Sequence, residues 1–284
     1  MTGSSTAGRT PGEPADAARP RAETILAALE AGTVRAAVPD PASPGGWRAM
    51  PEVKEAILVR FADRATTSWI AGPFAFRDRV GVPPRDWATA PDAAAASAAG
   101  RPQRVVPGGT SVRAGAHLGP GVVLMPPSFV NVGAWIGEDA MVDSHVLVGS
   151  CAQVGARVHL AAGVMLGGVL EPPGARPVIV EDDAFVGAGT LLLDGVLVGR
   201  GAVIGAGVVL TGTSRLYDLV RERVLEGTPD APLAVPPGAV VVPGTRALRG
   251  DFARSHGLAL ATAVLVKERD ARTAGRVALE DALR

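Results

Sequence analysis

Branched aliphatic residues recur at every sixth position of the chain from Val106 to Leu216, with a single interruption. The first run passes through Val106, Val112, Leu118, Leu124, Val130, Ile136, Val142, Val148, Val154, Leu160 and Leu166. The second passes through Val180, Val186, Leu192, Val198, Ile204, Leu210 and Leu216. An amphipathic helix repeats at about 3.6 residues and an alternating strand at two, so neither produces a sustained period of six. A hexapeptide repeat does, and it predicts a parallel β-helix in which each hexad is a short strand plus a turn with its aliphatic residue inward. Four places after most of these positions stands a small residue, such as Ala116, Ser128, Ala134, Ala140, Ala152, Ala184, Thr190 or Ala202, suited to a narrow interior. Gly often follows the aliphatic residue directly, as at Gly119, Gly137, Gly149, Gly155, Gly167, Gly187, Gly199 and Gly205, and is read as supplying backbone conformations other residues avoid. Three hexads close one triangular coil, so eighteen make about six coils. A sandwich of short strands also suits a chain rich in Gly and Val, but has no reason to keep a strict period over roughly a hundred residues.

The interruption, Glu171 to Pro177, predicts a loop thrown out of the coil. From Leu166 to Val180 the spacing is fourteen, two more than two regular hexads. Outside the repeat, residues 1–21 read as a disordered tail rich in Gly, Ser, Pro and Ala. Residues 22–103 read as a small helical domain and linker. It holds a helix from Glu23 to Ala37, with Ile25, Leu26, Leu29 and Val34 on one face, and a loop from Asp40 to Gly46. A second helix opens at Pro51, a residue suited to the first turn, and carries Val53, Ala56, Ile57, Val59 and Phe61. A short strand is predicted at Ser68 to Ile70 and an irregular Pro/Ala-rich stretch at Gly81 to Gly100. Residues 104–219 form the β-helix. In 220–284, Arg221 to Pro232 reads as a loop, Val240 to Val242 and Ala261 to Lys267 as strands, and Thr273 to Leu283 as a helix. The fold class is thus mainly β, a hexapeptide-repeat parallel β-helix with a small N-terminal helical domain and a C-terminal β/α tail.

Composition narrows the function. The 28 basic and 28 acidic residues balance and form no Lys/Arg block, which argues against a nucleic-acid partner. No stretch is long and apolar enough to span a membrane, and the N-terminus lacks the apolar core of a signal peptide. A single cysteine, Cys151, excludes an internal disulfide and points to a cytoplasmic location.

Several strings go beyond the repeat: Arg104-Val-Val-Pro107, Val123-Leu-Met-Pro126, Phe129-Val-Asn-Val-Gly-Ala134, Met141-Val-Asp-Ser144, Val148-Gly-Ser-Cys-Ala-Gln153, Val158-His-Leu160, Gly167-Gly-Val-Leu-Glu-Pro172 and Phe185-Val-Gly-Ala188. Together with Leu216-Tyr-Asp218, Pro237 to Val242, Lys267 and Asp270 to Thr273, they closely resemble the tetrahydrodipicolinate N-succinyltransferases of lysine and diaminopimelate biosynthesis. The resemblance implies a left-handed β-helix and a homotrimer, with acyl-CoA, as succinyl-CoA, lying between subunits as co-substrate and no tightly bound cofactor or metal. It matches Asp143 to the family's catalytic and substrate-contacting aspartate and Arg104 to its substrate-binding arginine, which can grip a carboxylate through two parallel hydrogen bonds. Ser150 is assigned to the acceptor site, and Gly167, Gly168, Gly187 and Ala188 to the path of the pantetheine arm. Arg176, on the interrupting loop, is a candidate for a ligand phosphate or carboxylate.

Amide formation from a thioester needs an attacking amine, a proton acceptor and donors for the developing oxyanion. Asp143 fits the acceptor, with a turn-stabilising carboxylate as the structural alternative. Three positions depart from the family. Gly189 replaces an arginine, Leu191 an active-site glutamate, and His145 a tryptophan. Imidazole titrates near neutral pH, so His145 is a candidate base, against an exposed residue on the outside of a coil. These departures leave open a sister enzyme with another acceptor or acyl donor, or a trimeric binding protein that has lost catalysis. A zinc-dependent carbonic anhydrase would need three histidines converging between subunits, from among His117, His145, His159 and His256. Cys151 reads as a buried small residue rather than a nucleophile.

Overall fold

The computed structural model describes residues 15–270. Its body is a left-handed parallel β-helix of triangular section, whose two-residue strands stack into three sheets, one per face. The first face carries Arg104–Val105, Val123–Leu124, Met141–Val142, His159–Leu160, Phe185–Val186 and Val203–Ile204. The second carries Ser111–Val112, Phe129–Val130, Leu147–Val148, Met165–Leu166, Leu191–Leu192 and Val209–Leu210. On the third lie His117–Leu118, Trp135–Ile136, Gln153–Val154, Ile179–Val180, Leu197–Val198 and Ala234–Val235. Each strand pairs in parallel with the one a coil later, as in Met141↔His159 and Val142↔Leu160. The inward residues fill one continuous buried column from Val112 to Leu265, with the small residues Ala116, Ala134, Ala152 and Ala202 between them.

The repeat is registered as the sequence predicts, with one exception at its start. Val105, not Val106, pairs with Leu124 and faces the column, because the segment from Val105 to Val112 holds one extra residue around Gly108 and Gly109. The interruption also differs from expectation. No hexad is skipped: the chain leaves the second face at Leu166 and rejoins the third at Val180, so fourteen residues make a step that six make elsewhere. The glycines that follow the inward residues have another role than expected. They do not adopt positive φ; they are needed because the next coil lies against them, and a Cβ on Gly137 would stand 2.6 Å from Ala156 N. Positive φ falls two places later, at Gly163 and Gly207 but also at His145, Cys151 and Asp183.

The N-terminal part covers the third face. Helix α1 (Ala15–Glu30) starts within the segment expected to be disordered, where alanines favour helix, and stops well short of Ala37 because Gly32 turns the chain at φ 76°. Ala37–Pro39 then pairs antiparallel with Trp47–Ala49. Helix α2 (Pro51–Ala62) begins at Pro51 as expected, and the predicted strand becomes a hairpin of Thr66–Ala71 with Phe74–Arg79. Leu26, Leu29, Val53 and Ile57 bury against Val132 and Cys151 at the edge between the second and third faces.

The stretch from Gly81 to Gly100, expected to be irregular, contains helix α3 (Pro91–Ala98). It forms because the buried Asp92 pairs with Arg85 and accepts a hydrogen bond from Leu118 N at 2.8 Å, tying the segment to the first coil. Beyond the coils, Arg215–Asp218 pairs with Arg223–Glu226, within what reads as a loop. The long strands Ala239–Ala247 and Ala259–Glu268 extend the first face. The helix expected from Thr273 to Leu283 lies outside the described residues. Among the described residues no helix is long and apolar enough to cross a membrane.

This docking makes the fold acid-sensitive at His117. Its ring stacks on Trp135 with centroids 4.0 Å apart, its Nδ1 lies 3.2 Å from Glu30 O, and Asp92 Oδ2 is 3.5 Å away. Burial, aided by the nearby Arg85 and Arg35 charges, pushes its pKa down to about 4. Between about 6.5 and about 4 the unfolded chain therefore binds a proton that the folded one does not. Stability is expected to fall by on the order of 2–3 kcal/mol as pH drops through that window. Denaturant unfolding of His117→Gln at pH 7 and pH 4 checks this: the variant is expected to lose less than the parent, and an equal loss would refute the assignment to His117.

Candidate active site

Asp143 follows the inward Val142 and sits at the end of a first-face strand, its amide donating to Leu160 O at 2.9 Å. Its Oδ1 accepts from Ser144 N at 2.7 Å, and its Oδ2 stands 3.8 Å from His159 Nε2 one coil further on. His159 lies edge-on to Phe185, with ring centroids 5.2 Å apart. Sequence reasoning did not couple His159 to Asp143, although one coil of three hexads carries Met141 onto His159. Arg104 lies exposed on the same face, two strands below Met141, or about 10 Å along the axis at the usual strand spacing. The two groups can thus engage opposite ends of one extended acceptor.

His145 occupies the turn between the first and second faces, exposed, with φ 61° and its amide bonded to Pro127 O at 2.6 Å. That backbone conformation is the one other coils give to glycine, so His145 serves the turn while presenting its ring to solvent at the edge that carries Asp143. Gly187, at the same edge two coils above, is buried beneath Ala206, and its neighbour Ala188 is exposed.

The remaining candidates gather at a different edge, between the second and third faces. Ser150 is buried, and its carbonyl accepts from Val169 N at 3.3 Å. A Cβ on Gly168 would come 2.9 Å from Ser150 N, so the two belong to one wall with Gly167. Within one chain the full width of the second face separates this wall from Asp143.

Arg176 is not free for a ligand. It is buried, and its guanidinium donates to Gly195 O at 3.0 Å, Pro44 O at 3.2 Å and Pro232 O at 2.7 Å, which ties the interrupting loop to the third face. Leu233 O also accepts from it at 3.3 Å, and all four carbonyls come from segments distant from the loop in sequence, so a reading of the loop alone does not bring them together. Cys151 is buried and its thiol is pushed up to about 12 by that burial, as suits a core residue. Within one chain the four histidines lie apart, His117 under α1, His159 on the first face, His145 at the edge and His256 after the short helix Asp251–Ser255.

Fold and repeat together define a hexapeptide β-helix. A family model described as the hexapeptide repeat of succinyl-transferase matches residues 177–212. The 2,3,4,5-tetrahydropyridine-2,6-dicarboxylate N-succinyltransferase of Xylella fastidiosa is 39% identical over 269 residues, covering 95% of this chain and 90% of its own. That of Idiomarina loihiensis is 41% identical over 241 residues, 84% of this chain and 81% of its own. The chain belongs to the 2,3,4,5-tetrahydropyridine-2,6-dicarboxylate N-succinyltransferase family.

Proposed function

We propose that the protein transfers a succinyl group from succinyl-CoA to the amine of the ring-opened tetrahydrodipicolinate, with acyl-CoA as a co-substrate rather than a bound cofactor. What carries this is near-full-length membership of the family, with Asp143 and Arg104 standing on one face at a spacing that suits an acceptor with two carboxylates. In the reaction the acceptor nitrogen attacks the thioester carbon and forms the C–N bond, Asp143 takes a proton from that nitrogen, and as the C–S bond breaks the same proton passes to the departing sulfur, so that CoA leaves as the thiol. Arg104 grips an acceptor carboxylate.

The working unit is a homotrimer in which the first face of one copy meets the second face of the next. Two observations support it. Asp143 and the Ser150, Gly167 and Gly168 wall share a cleft only if they come from different copies. The second face also presents an outward ladder of Phe129, Leu147, Met165, Leu191 and Val209, with Met165 43% and Val209 50% exposed. Cytoplasmic placement rests on the single, buried thiol.

A second reading keeps the chemistry and changes the acceptor or acyl group. Leu191 stands between Met165 and Val209 on the second face, where the family's glutamate would meet a neighbour's first face, and Gly189 lacks the family's arginine. Thiol release from succinyl-CoA and acetyl-CoA, with tetrahydrodipicolinate and with other amino acids, separates the two. Turnover with tetrahydrodipicolinate and succinyl-CoA is expected to be the fastest, and its absence would remove the first reading.

A further inference from the structure

A cleft of about 600 Å³ opens between the antiparallel pair Ala37–Pro39 and Trp47–Ala49 and the edge joining the third and first faces, away from Asp143. Its central feature is Arg35. The Nε–H of Arg35 donates to Oε1 of the buried Gln153 at 2.9 Å. Its guanidinium carbon lies 4.2 Å from the Trp135 ring centroid and 5.4 Å from that of Trp47. Trp135 is backed on by His117, and Trp47 is held by donating its Nε1–H to Glu181 Oε1 at 2.8 Å. The guanidinium is therefore fixed in place before any ligand arrives. Among the described residues no carboxylate lies within ion-pair distance of it, although the Asp182 charge acts on it from further off, and its two terminal nitrogens donate to no protein acceptor. Burial lowers its pKa to about 10, so it stays charged at neutral pH while partly stripped of water.

The other charges in the cleft set the ligand class. The lining holds the carboxylates of Glu138, Glu181 and Asp182 against the guanidiniums of Arg35 and Arg200. Arg200 is spent on Asp182 and Asp183, at 2.8 and 3.3 Å. A phosphate or dicarboxylate would meet net negative charge. A single carboxylate carrying its own ammonium would not: the Arg35 fork takes the carboxylate and Glu181 faces the cation. Glu181 accepts from Trp47 Nε1 and Arg200 N but is in no ion pair among the described residues, while Asp182 is held by Arg200. Gly137 and Gly155 bring bare backbone to the cleft wall beside these charges.

We infer that this cleft is a binding site for a small α-amino acid zwitterion, separate from the acyl-transfer cleft. Trp47 and Trp135 report on it directly. Tryptophan emission and calorimetry of the full-length protein, titrated with each of the twenty common amino acids, are expected to show saturable binding for at least one. For that amino acid, the deaminated carboxylate, the decarboxylated amine and inorganic phosphate are each expected to bind at least tenfold more weakly.

Arg35→Lys keeps the charge but loses the fork, and is expected to weaken binding at least tenfold. Glu181→Gln keeps an oxygen acceptor for Trp47 Nε1, now 2.8 Å away, and is expected to weaken the amino acid severalfold without weakening the deaminated carboxylate. It gives a second, independent test should Arg35→Lys fail to fold. No saturable binding by any amino acid, equal binding of phosphate, or undiminished binding in a folded Arg35→Lys protein would overturn the assignment.

Discussion

Asp143→Asn is expected to lower the rate of acyl transfer by about 10²- to 10⁴-fold, the usual worth of a positioned general base. Asparagine has the same shape, and its carbonyl oxygen can still accept the hydrogen bond from Ser144 N, 2.7 Å from Oδ1 in the parent. What it cannot do is take a proton from the attacking amine. The loss should therefore fall on kcat, with the acceptor KM much less affected, since the carboxylate grip is the role proposed for Arg104. The comparison is steady-state thiol release from succinyl-CoA, alongside size-exclusion chromatography and thermal unfolding to show an unchanged assembly. A rate within threefold of the parent would remove Asp143 from the chemistry. In that case His159, 3.8 Å from the same carboxylate, would become the next group to test.

Leu160→Ala is expected to cost about 3–5 kcal/mol of folding stability. Leu160 is fully buried, stacked between Val142 and Val186 in the interior column. Because the column is one side chain wide per face, neighbours above and below are held at the strand spacing by their own hydrogen bonds. The coil cannot collapse into the space, so the truncation leaves a cavity as well as losing the transfer energy of the removed carbons. Denaturant-induced unfolding at fixed protein concentration measures it, and a loss below about 1 kcal/mol would mean the interior is far more compliant than this packing implies.

The repeat was legible because its period comes from the covalent chain. Every sixth residue must point inward for three strands to close a triangle, so Val112 to Leu216 announce their burial without any knowledge of contacts. Asp143 and Arg104 are singled out by the strings around them, not by the repeat, which treats all outward positions alike. The errors have physical causes. The glycines after the inward residues were credited with backbone freedom, when their real constraint is the next coil, eighteen residues away in the regular part of the repeat and close in space. Arg176 looked available because its carbonyl acceptors come from Pro44, Gly195, Pro232 and Leu233, none near it in sequence. Helix α3 went unread because what holds it is a buried Arg85–Asp92 pair bonded to the first coil.

The amino-acid order alone fixed the β-helix, its register from Val112 onward, the position of the interrupting loop and the family to which the chain belongs, since each depends on local spacing or on contiguous strings. Only the folded structure decided which outward residues share a face or an edge. It set His159 beside Asp143, put the Ser150 and Gly168 wall on a different edge, and clamped Arg35 between Trp47 and Trp135. The reason is that a residue's inward or outward direction is dictated by its neighbours along the backbone, whereas the partners it meets on the outside are brought there by segments that close onto it from far along the chain.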